Sequence, residues 1–236
     1  MRVDLFDFVL PAERIALRPA EPRDNARMLV VGDQGMADAR VSGLPGLLRA
    51  GDMLVFNDTR VIPAQLEGVR GEARIGATLH KREGPRRWRA FIRNAKRLRE
   101  GDAIDFGAGV SATASARATD GSFALDFAGD EPVELLLERA GRMPLPPYIA
   151  ARRAADARDA EDYQTMFARE AGAVAAPTAA LHFTPGLIDA LAVAGIATAT
   201  LTLHVGAGTF LPVKVDDTDD HAMHAEWGRI DAATAD

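Results

Sequence analysis

AGAVAAPTAALHFTPGLIDALAVAGIATATLTLHVGAGTF, residues 171–210, is two polar-tipped loops joined by a helix and an apolar strand, and its reading decides the fold. Thr184 stands where a helix needs an N-cap, Pro185 at the first helical position and Gly195 just past the last, so the helix is bracketed from both ends. Ile196 to Leu203 then alternate β-branched and small residues as a strand. Its end opens into HVGAGTF, where glycines let the backbone turn sharply or approach a ligand. A strand feeding such a loop is where α/β proteins place their sites. Both loops carry a histidine: His182 in APTAALHFT, beside Thr178, and His204 in HVGAGTF, with Thr209.

Upstream, DMLVFNDTRVI at 52–62 is an apolar strand running into Asn57, Asp58, Thr59 and Arg60. These four form either a second wall of a site or a simple turn, with Arg60 solvated or paired to Asp58. Before them lie an irregular arm leading into a strand, the polar turn Pro19–Asp24, and Val41–Arg49, whose spacing predicts a helix closed by Gly51. From Ala64 to about Asp130 short strands alternate with glycine or charged turns, as in a small antiparallel barrel. Glu131–Gly141 is predicted as a helix with Leu135, Leu136 and Ala140 inward, and GRMPLPPYI as a stiff extended return. Arg152–Ala160 reads as a mobile charged stretch, and AEDYQTMFARE as a helix burying Tyr163, Met166 and Phe167. Past Phe210, LPVKV is predicted as a strand. Together these give an α/β domain over 1–63 and 144–236, interrupted by an inserted antiparallel Greek-key-like β-barrel at 64–143.

Composition narrows the chemistry. The 236 residues, 47% hydrophobic, are enough for real cores. Cysteine is absent, which excludes disulfides, thiolate catalysis and cysteine zinc sites. A metal would need histidine and carboxylate ligands; His221, His224 and Glu226 in HAMHAEW have that character, but read first as a substrate pocket or a hydrogen-bonded histidine pair, so no metal is expected. No apolar run approaches the roughly 20 residues of a membrane span and the N-terminus lacks a signal peptide, so the expected location is cytoplasmic. HVGAGTF has G-x-G without a third glycine or a lysine-serine ending and is not a phosphate loop.

Net charge is −6, yet residues 81–99 carry +8, leaving −14 for the rest. Alternation in RRWRAFIRN places Trp88, Ala90 and Ile92 on one face of a strand and Arg87, Arg89, Phe91 and Arg93 on the other. Such a face protects a sheet edge or binds phosphate; nine cations exceed what edge protection requires, so Arg86, Arg87, Arg89, Arg93, Lys96 and Arg97 are the expected nucleic-acid contacts.

Six ordered motifs, NDTRVIPAQL (57–66), GRMPLPPYI (141–149), DYQTMFARE (162–170), GAVAAPTAALHFT (172–184), LHVGAGTFLPV (203–213) and HAMHAEW (221–227), resemble the S-adenosylmethionine:tRNA ribosyltransferase-isomerases over nearly the whole chain. Ala180 stands where that family commonly has glycine, and Leu211 where it has arginine. Family members also continue past HAMHAEW, so a truncated chain is expected. The resemblance implies an enzyme of queuosine biosynthesis that moves the ribosyl part of S-adenosylmethionine onto 7-aminomethyl-7-deazaguanine in tRNA, giving epoxyqueuosine, adenine and methionine. It implies S-adenosylmethionine as co-substrate with no cofactor, and an α/β domain with an inserted barrel; a monomer is expected.

Proton transfer in that reaction suits histidine, whose pKa near 6.5 lies close to neutral pH. His182 and His204, in loops expected to converge, are the candidate base and acid, in either order. Asn57, Thr59, Arg60, Thr178, Thr209, His224 and Glu226 are the candidate substrate ligands. The rivals are a noncatalytic tRNA-binding fragment and a S-adenosylmethionine methyltransferase; the latter lacks a glycine-rich loop after a first strand.

Overall fold

Where apolar residues recur at period two, the chain makes strands, and where Gly or Pro punctuates them it turns. The computed structural model describes residues 1–235. After an arm of 3₁₀ turns, β1 (Arg27–Gly32) and β2 (Gly35–Arg40) pair as a hairpin. Val41–Gly46 is 3₁₀ rather than the predicted α-helix, because Pro45 within it has no N–H to give. The DMLVFNDTRVI stretch is two strands, β3 (Met53–Asn57) and β4 (Thr59–Val61), interrupted at Asp58.

The barrel follows as β5 (Gln65–Arg70), β6 (Ala73–Arg82), β7 (Arg87–Arg93), β8 (Ala103–Asp105), β9 (Ser111–Arg117) and β10 (Phe123–Phe127). Their antiparallel order is β5-β6-β7-β10-β9-β8, and a β8–β5 pairing at Val69↔Asp105 closes it, with the Greek-key-like jump from β7 to β10. Closure requires a bare backbone at Gly68, where a Cβ would lie 2.5 Å from the Asp105 carbonyl oxygen. Inside, Leu66, Ile75, Leu79, Ile104, Phe123 and Leu125 interleave with Ala77, Ala90, Ala112 and Ala114, small against large, as packing to crystal-like density demands. Helix α1 (Val133–Ala140) stops this core with Val133, Leu136 and Leu137; Leu135, expected inward, is exposed, because the buried stripe runs through Val133, Leu136 and Leu137.

Strand β11 (Gly141–Arg142) then pairs with the start of β5. After the one-turn helices α2 (Pro147–Ala150) and α3 (Asp159–Asp162) comes β12 (Glu170–Ala173), parallel to β4. Helix α4 (Pro185–Val193) is bracketed as the sequence predicts: the Thr184 hydroxyl accepts from the Leu187 N–H at 3.2 Å. Its Leu187 and Leu191 pack on Val41 and Ile196. Strand β13 (Ala197–His204) runs parallel to β3, in register from Ala197↔Met53 to Leu201↔Asn57, and β14 (Trp227–Arg229) pairs antiparallel on its other side. The α/β class with an antiparallel barrel is therefore the one expected.

Three local expectations are corrected. Arg152–Ala160 is not a free charged stretch: Asp159, fully buried, accepts from Arg153 at 2.5 and 2.9 Å and from Arg18 at 2.9 Å, while Arg18 also reaches Asp156 and Asp162. AEDYQTMFARE makes only the single turn of α3; Tyr163 is buried beside Leu145 and Ile149, Phe167 stacks on Phe56 at 4.1 Å, and Met166 is exposed. LPVKV is not a strand, since Pro212 removes a ladder donor, and the neighbouring contact is an isolated bridge between Arg2 and Asp217.

Burial alone would raise the Asp159 carboxyl, but hydrogen bonds from Arg153 and the Asp156 N–H outweigh it and the net direction is down. Its contribution to stability is thus fully present above the unfolded value of 3.8 and is lost as pH falls through the lower folded value. Asp159→Ala leaves two guanidinium groups without their shared acceptor and is expected to cost about 3 kcal/mol in urea unfolding at neutral pH. The deficit relative to wild type should shrink toward the acid end; an unchanged midpoint would show that the network holds nothing.

Candidate active site between barrel and parallel strands

The end of β13 is built around the polar triplet that separates β3 from β4. Asn57 is used twice on β13, donating from Nδ2 to the Leu203 carbonyl at 2.7 Å and accepting at Oδ1 from the Leu203 N–H at 3.0 Å. Asp58, buried, accepts from the Thr202 hydroxyl at 2.7 Å and from Arg169 at 3.1 Å, so its partner is Arg169 and not the neighbouring Arg60. Thr59, also fully buried, lies with its Oγ1 2.7 Å from His204 Nδ1.

These contacts fix the His204 ring. The Thr59 oxygen lies 2.7 Å from Nδ1 and 3.4 Å from the Glu170 carbonyl; with its hydrogen turned to Glu170 it accepts from Nδ1–H, the tautomer in which the Nε2 lone pair is the proton acceptor. Trp227 stacks on one face of the imidazole at 5.0 Å. Gly172 lies against the ring so closely that a Cβ there would stand 2.6 Å from Nε2. Desolvation by burial lowers the His204 pKa below 6.5, against the opposing pull of Glu170 and Asp58, and keeps the imidazole neutral near neutral pH.

His204 opens on a cavity of about 740 Å³ between the barrel and the parallel strands, within the range of small-molecule sites, roughly 300–1,000 Å³. Its barrel wall is His80, Arg82 and Trp88; its other wall is Gly172, Gly206, His224, Glu226 and Trp227. Glu226 accepts from the Gly206 N–H at 2.9 Å, tying the HAMHAEW segment to the loop after β13. His80 stacks on Phe91 at 4.5 Å and sits 6.2 Å from the His224 ring; burial lowers its pKa, Asp120 opposing, and its Nε2 has no hydrogen-bond partner. Trp88 Nε1 is likewise buried and unpartnered.

Of the residues expected from sequence, His204, Thr59, His224 and Glu226 come together here, while Thr209 joins His224 and Glu226 in an adjoining cavity of about 890 Å³. Asn57 is consumed by β13. His182 and Thr178 line neither cavity: His182 Nδ1 lies 3.1 Å from its own loop's Ala179 carbonyl, and the two histidine loops do not converge on one space. HAMHAEW is not helical, so the spacing that suggested a shared histidine face does not apply, and among the described residues no cluster of three metal-binding side chains occurs. His80 and Trp88 were not singled out in the sequence; the available signal was a histidine and a phenylalanine on the outward faces of neighbouring strands, where charge otherwise prevails.

The basic strand is largely engaged within the barrel. Arg86 donates to the carbonyls of Phe127, Ala128 and Glu131. Arg89 reaches the Ala116 carbonyl and, with Arg87, pairs with Glu83, the Arg89 hydrogen bond foremost in holding that carboxyl below its ordinary value. Arg93 pairs with Glu67 at 2.5 Å, whereas Lys96 and Arg97 are exposed and unpaired among the described residues.

NMR titration of the histidines should place His204 below 6.5, and Gly172→Ala, which pushes a methyl into the ring, should move its resonances and its midpoint; an unshifted His204 in that variant would remove the close packing inferred here.

The family model described as "Queuosine biosynthesis protein" matches residues 3–236. The S-adenosylmethionine:tRNA ribosyltransferase-isomerase of Rhizorhabdus wittichii is 80% identical over 238 residues, covering 100% of this chain and 69% of that protein. Its counterpart in Sphingopyxis alaskensis is 76% identical, covering 100% and 67%. The chain thus spans about two thirds of the length of these curated relatives. A crystal structure of S-adenosylmethionine tRNA ribosyltransferase from Thermotoga maritima is 29% identical over 85% of this chain and 58% of that one, with a TM-score of 0.34. A family match running from the third residue to the last, joined by relatives of such identity along the whole chain, establishes that the chain belongs to the family of queuosine biosynthesis proteins.

Proposed function

We propose that this chain carries the ribosyl transfer and isomerisation named in its relatives. In this reading S-adenosylmethionine gives up its ribosyl part to 7-aminomethyl-7-deazaguanine in tRNA, with adenine and methionine released. The observation that carries the reading is the His204 imidazole, its Nδ1 2.7 Å from the Thr59 hydroxyl and its ring lining a cavity of substrate size. The sulfonium of S-adenosylmethionine acidifies the adjacent 5′-methylene, and Nε2 takes that proton. The tRNA amine bonds to the 1′-carbon as adenine departs with a proton; opening of the C1′–O4′ bond gives an imine, the 5′-carbanion adds to its 1′-carbon, and the freed 4′-oxyanion closes on the 5′-carbon and expels methionine. His80, His224 and Glu226 line the same space and are the further candidates for holding or returning protons. No cofactor besides the co-substrate enters this sequence, and the enzyme works as a cytoplasmic monomer. Residues 1–63 and 144–236 form the catalytic domain, and residues 64–143 the barrel that walls its site.

The modified base reaches the cavity by leaving its stack. Phosphate attraction falls chiefly on Lys96 and Arg97, since Arg86, Arg87, Arg89 and Arg93 are already paired within the barrel. Among the described residues no helix is long and apolar enough to cross a membrane.

Incubation with S-adenosylmethionine and tRNA bearing the aminomethyl base is expected to release adenine and methionine together with ribosylated tRNA; no product from folded chain would sink the reading. His204→Ala should lower kcat by about 10²–10⁴-fold, and Thr59→Val by about tenfold through loss of one orienting hydrogen bond. With His204 as base, kcat should fall on the acid side at a pH below 6.5, because the group must be unprotonated to act. Lys96→Glu with Arg97→Glu should weaken tRNA binding and flatten its dependence on salt by about one to two units of log–log slope, leaving S-adenosylmethionine affinity unchanged.

A further inference from the structure

A second cavity, of about 540 Å³, adjoins the one that holds His204, and the two share Ile62, Glu134 and Ala171. Its charged lining is mixed. Arg60 on β4 and Arg142 on β11 are exposed, and their guanidinium groups make no hydrogen bond or ion pair to the described residues. Three carboxylates line the same cavity: Glu134, paired to Arg82 at 3.1 Å, Asp156, taken up by Arg18, and Glu138, which has no cation partner among the described residues. Strand pairing puts both arginines where they are. Arg60 lies across from Ala171 in the β4–β12 register, and Arg142 across from Gln65 in the β11–β5 register.

Two unpaired guanidinium groups and an unpaired carboxylate lining one cavity select a ligand that carries both signs. A phosphate would meet the unpaired Glu138 carboxylate without a counter-charge for it, and an apolar ligand would leave the arginines unused. An α-amino acid satisfies both, its carboxylate accepting from the guanidinium groups and its ammonium donating to the carboxylate. We propose that this cavity is the subsite for the amino-acid end of S-adenosylmethionine, with Arg60 and Arg142 on the α-carboxylate and Glu138 on the α-ammonium. The inference rests on the function proposed above. It adds the direction in which the co-substrate lies: nucleoside beside His204, methionine in the second cavity, and the sulfonium between them at the shared wall, where the Glu134 carboxylate opposes its charge. Methionine then departs through a different space from adenine, and free methionine competes with S-adenosylmethionine rather than with tRNA.

Calorimetry with S-adenosylmethionine and with 5′-methylthioadenosine, which has the nucleoside and sulfur but no amino acid, separates the two ends. Arg142→Ala and Glu138→Gln should each weaken S-adenosylmethionine by about tenfold or more, as loss of a charge-assisted contact does, while 5′-methylthioadenosine binding stays within about twofold. Arg142→Lys should restore part of the loss. Equal weakening of both ligands, or unchanged S-adenosylmethionine affinity, would overturn the assignment. So would a rise in KM for tRNA with that for S-adenosylmethionine unaffected, the result expected of a phosphate site. A wild-type chain that binds neither ligand would instead sink the proposed function itself, and the subsite with it.

Discussion

The Asp58 carboxylate, buried where β3 gives way to β4, is the constraint on which the site depends. A buried charge is tolerated only when it is paired and hydrogen-bonded, so Thr202 and Arg169 must both be in place. The backbone of Asp58 adds to this: its N–H donates to Leu201 at 2.9 Å, and its carbonyl accepts from Arg169 and Glu170 at 2.8 and 3.1 Å. One residue therefore fastens β13 and the start of β12 to the β3–β4 junction. Because successive strand residues point to opposite sides, the next two then diverge: Thr59 turns inward to His204, and Arg60 outward to the second cavity.

The barrel supplies the remaining wall rather than a separate machine. Its interior is filled by side chains, so a substrate meets the barrel only at its margin, where His80, stacked on Phe91, and the edge of the core residue Trp88 border the cavity. Both residues keep a buried nitrogen without a partner, a cost of about 1–3 kcal/mol each in a finished protein core. A ligand offering hydrogen-bonding atoms to that wall offsets the cost, which is a physical reason for such groups to stand there.

Charge is distributed with the same economy. The arginines crowded into residues 81–99 form a basic patch in the sequence, but most of their guanidinium groups close turns or pair with Glu83 and Glu67. The stretch 152–162, by contrast, looks solvated in sequence, yet its Asp159 is buried against Arg18 and Arg153 and its Asp162 against Arg18. Long-range pairing, with about 140 residues between Arg18 and Asp159, turned an apparent mobile loop into a fixed support for the second cavity.

What the sequence determined by itself was local and periodic. Thr184, Pro185 and Gly195 specified α4, alternation specified β13 and the barrel strands, and the polar triplet 57–59 marked the strand end that carries the site. Those signals lie within a few residues of one another, so short-range sterics and hydrogen bonding suffice to read them. Tertiary structure alone decided which loops meet. His204 found Thr59 and Trp227 while His182 stayed within its own turn, Leu135 faced outward, AEDYQTMFARE gave its aromatics to separate clusters, and His80 entered the site from the barrel. Each outcome depends on contacts between residues far apart in the chain, whose balance of packing against desolvation no local pattern encodes.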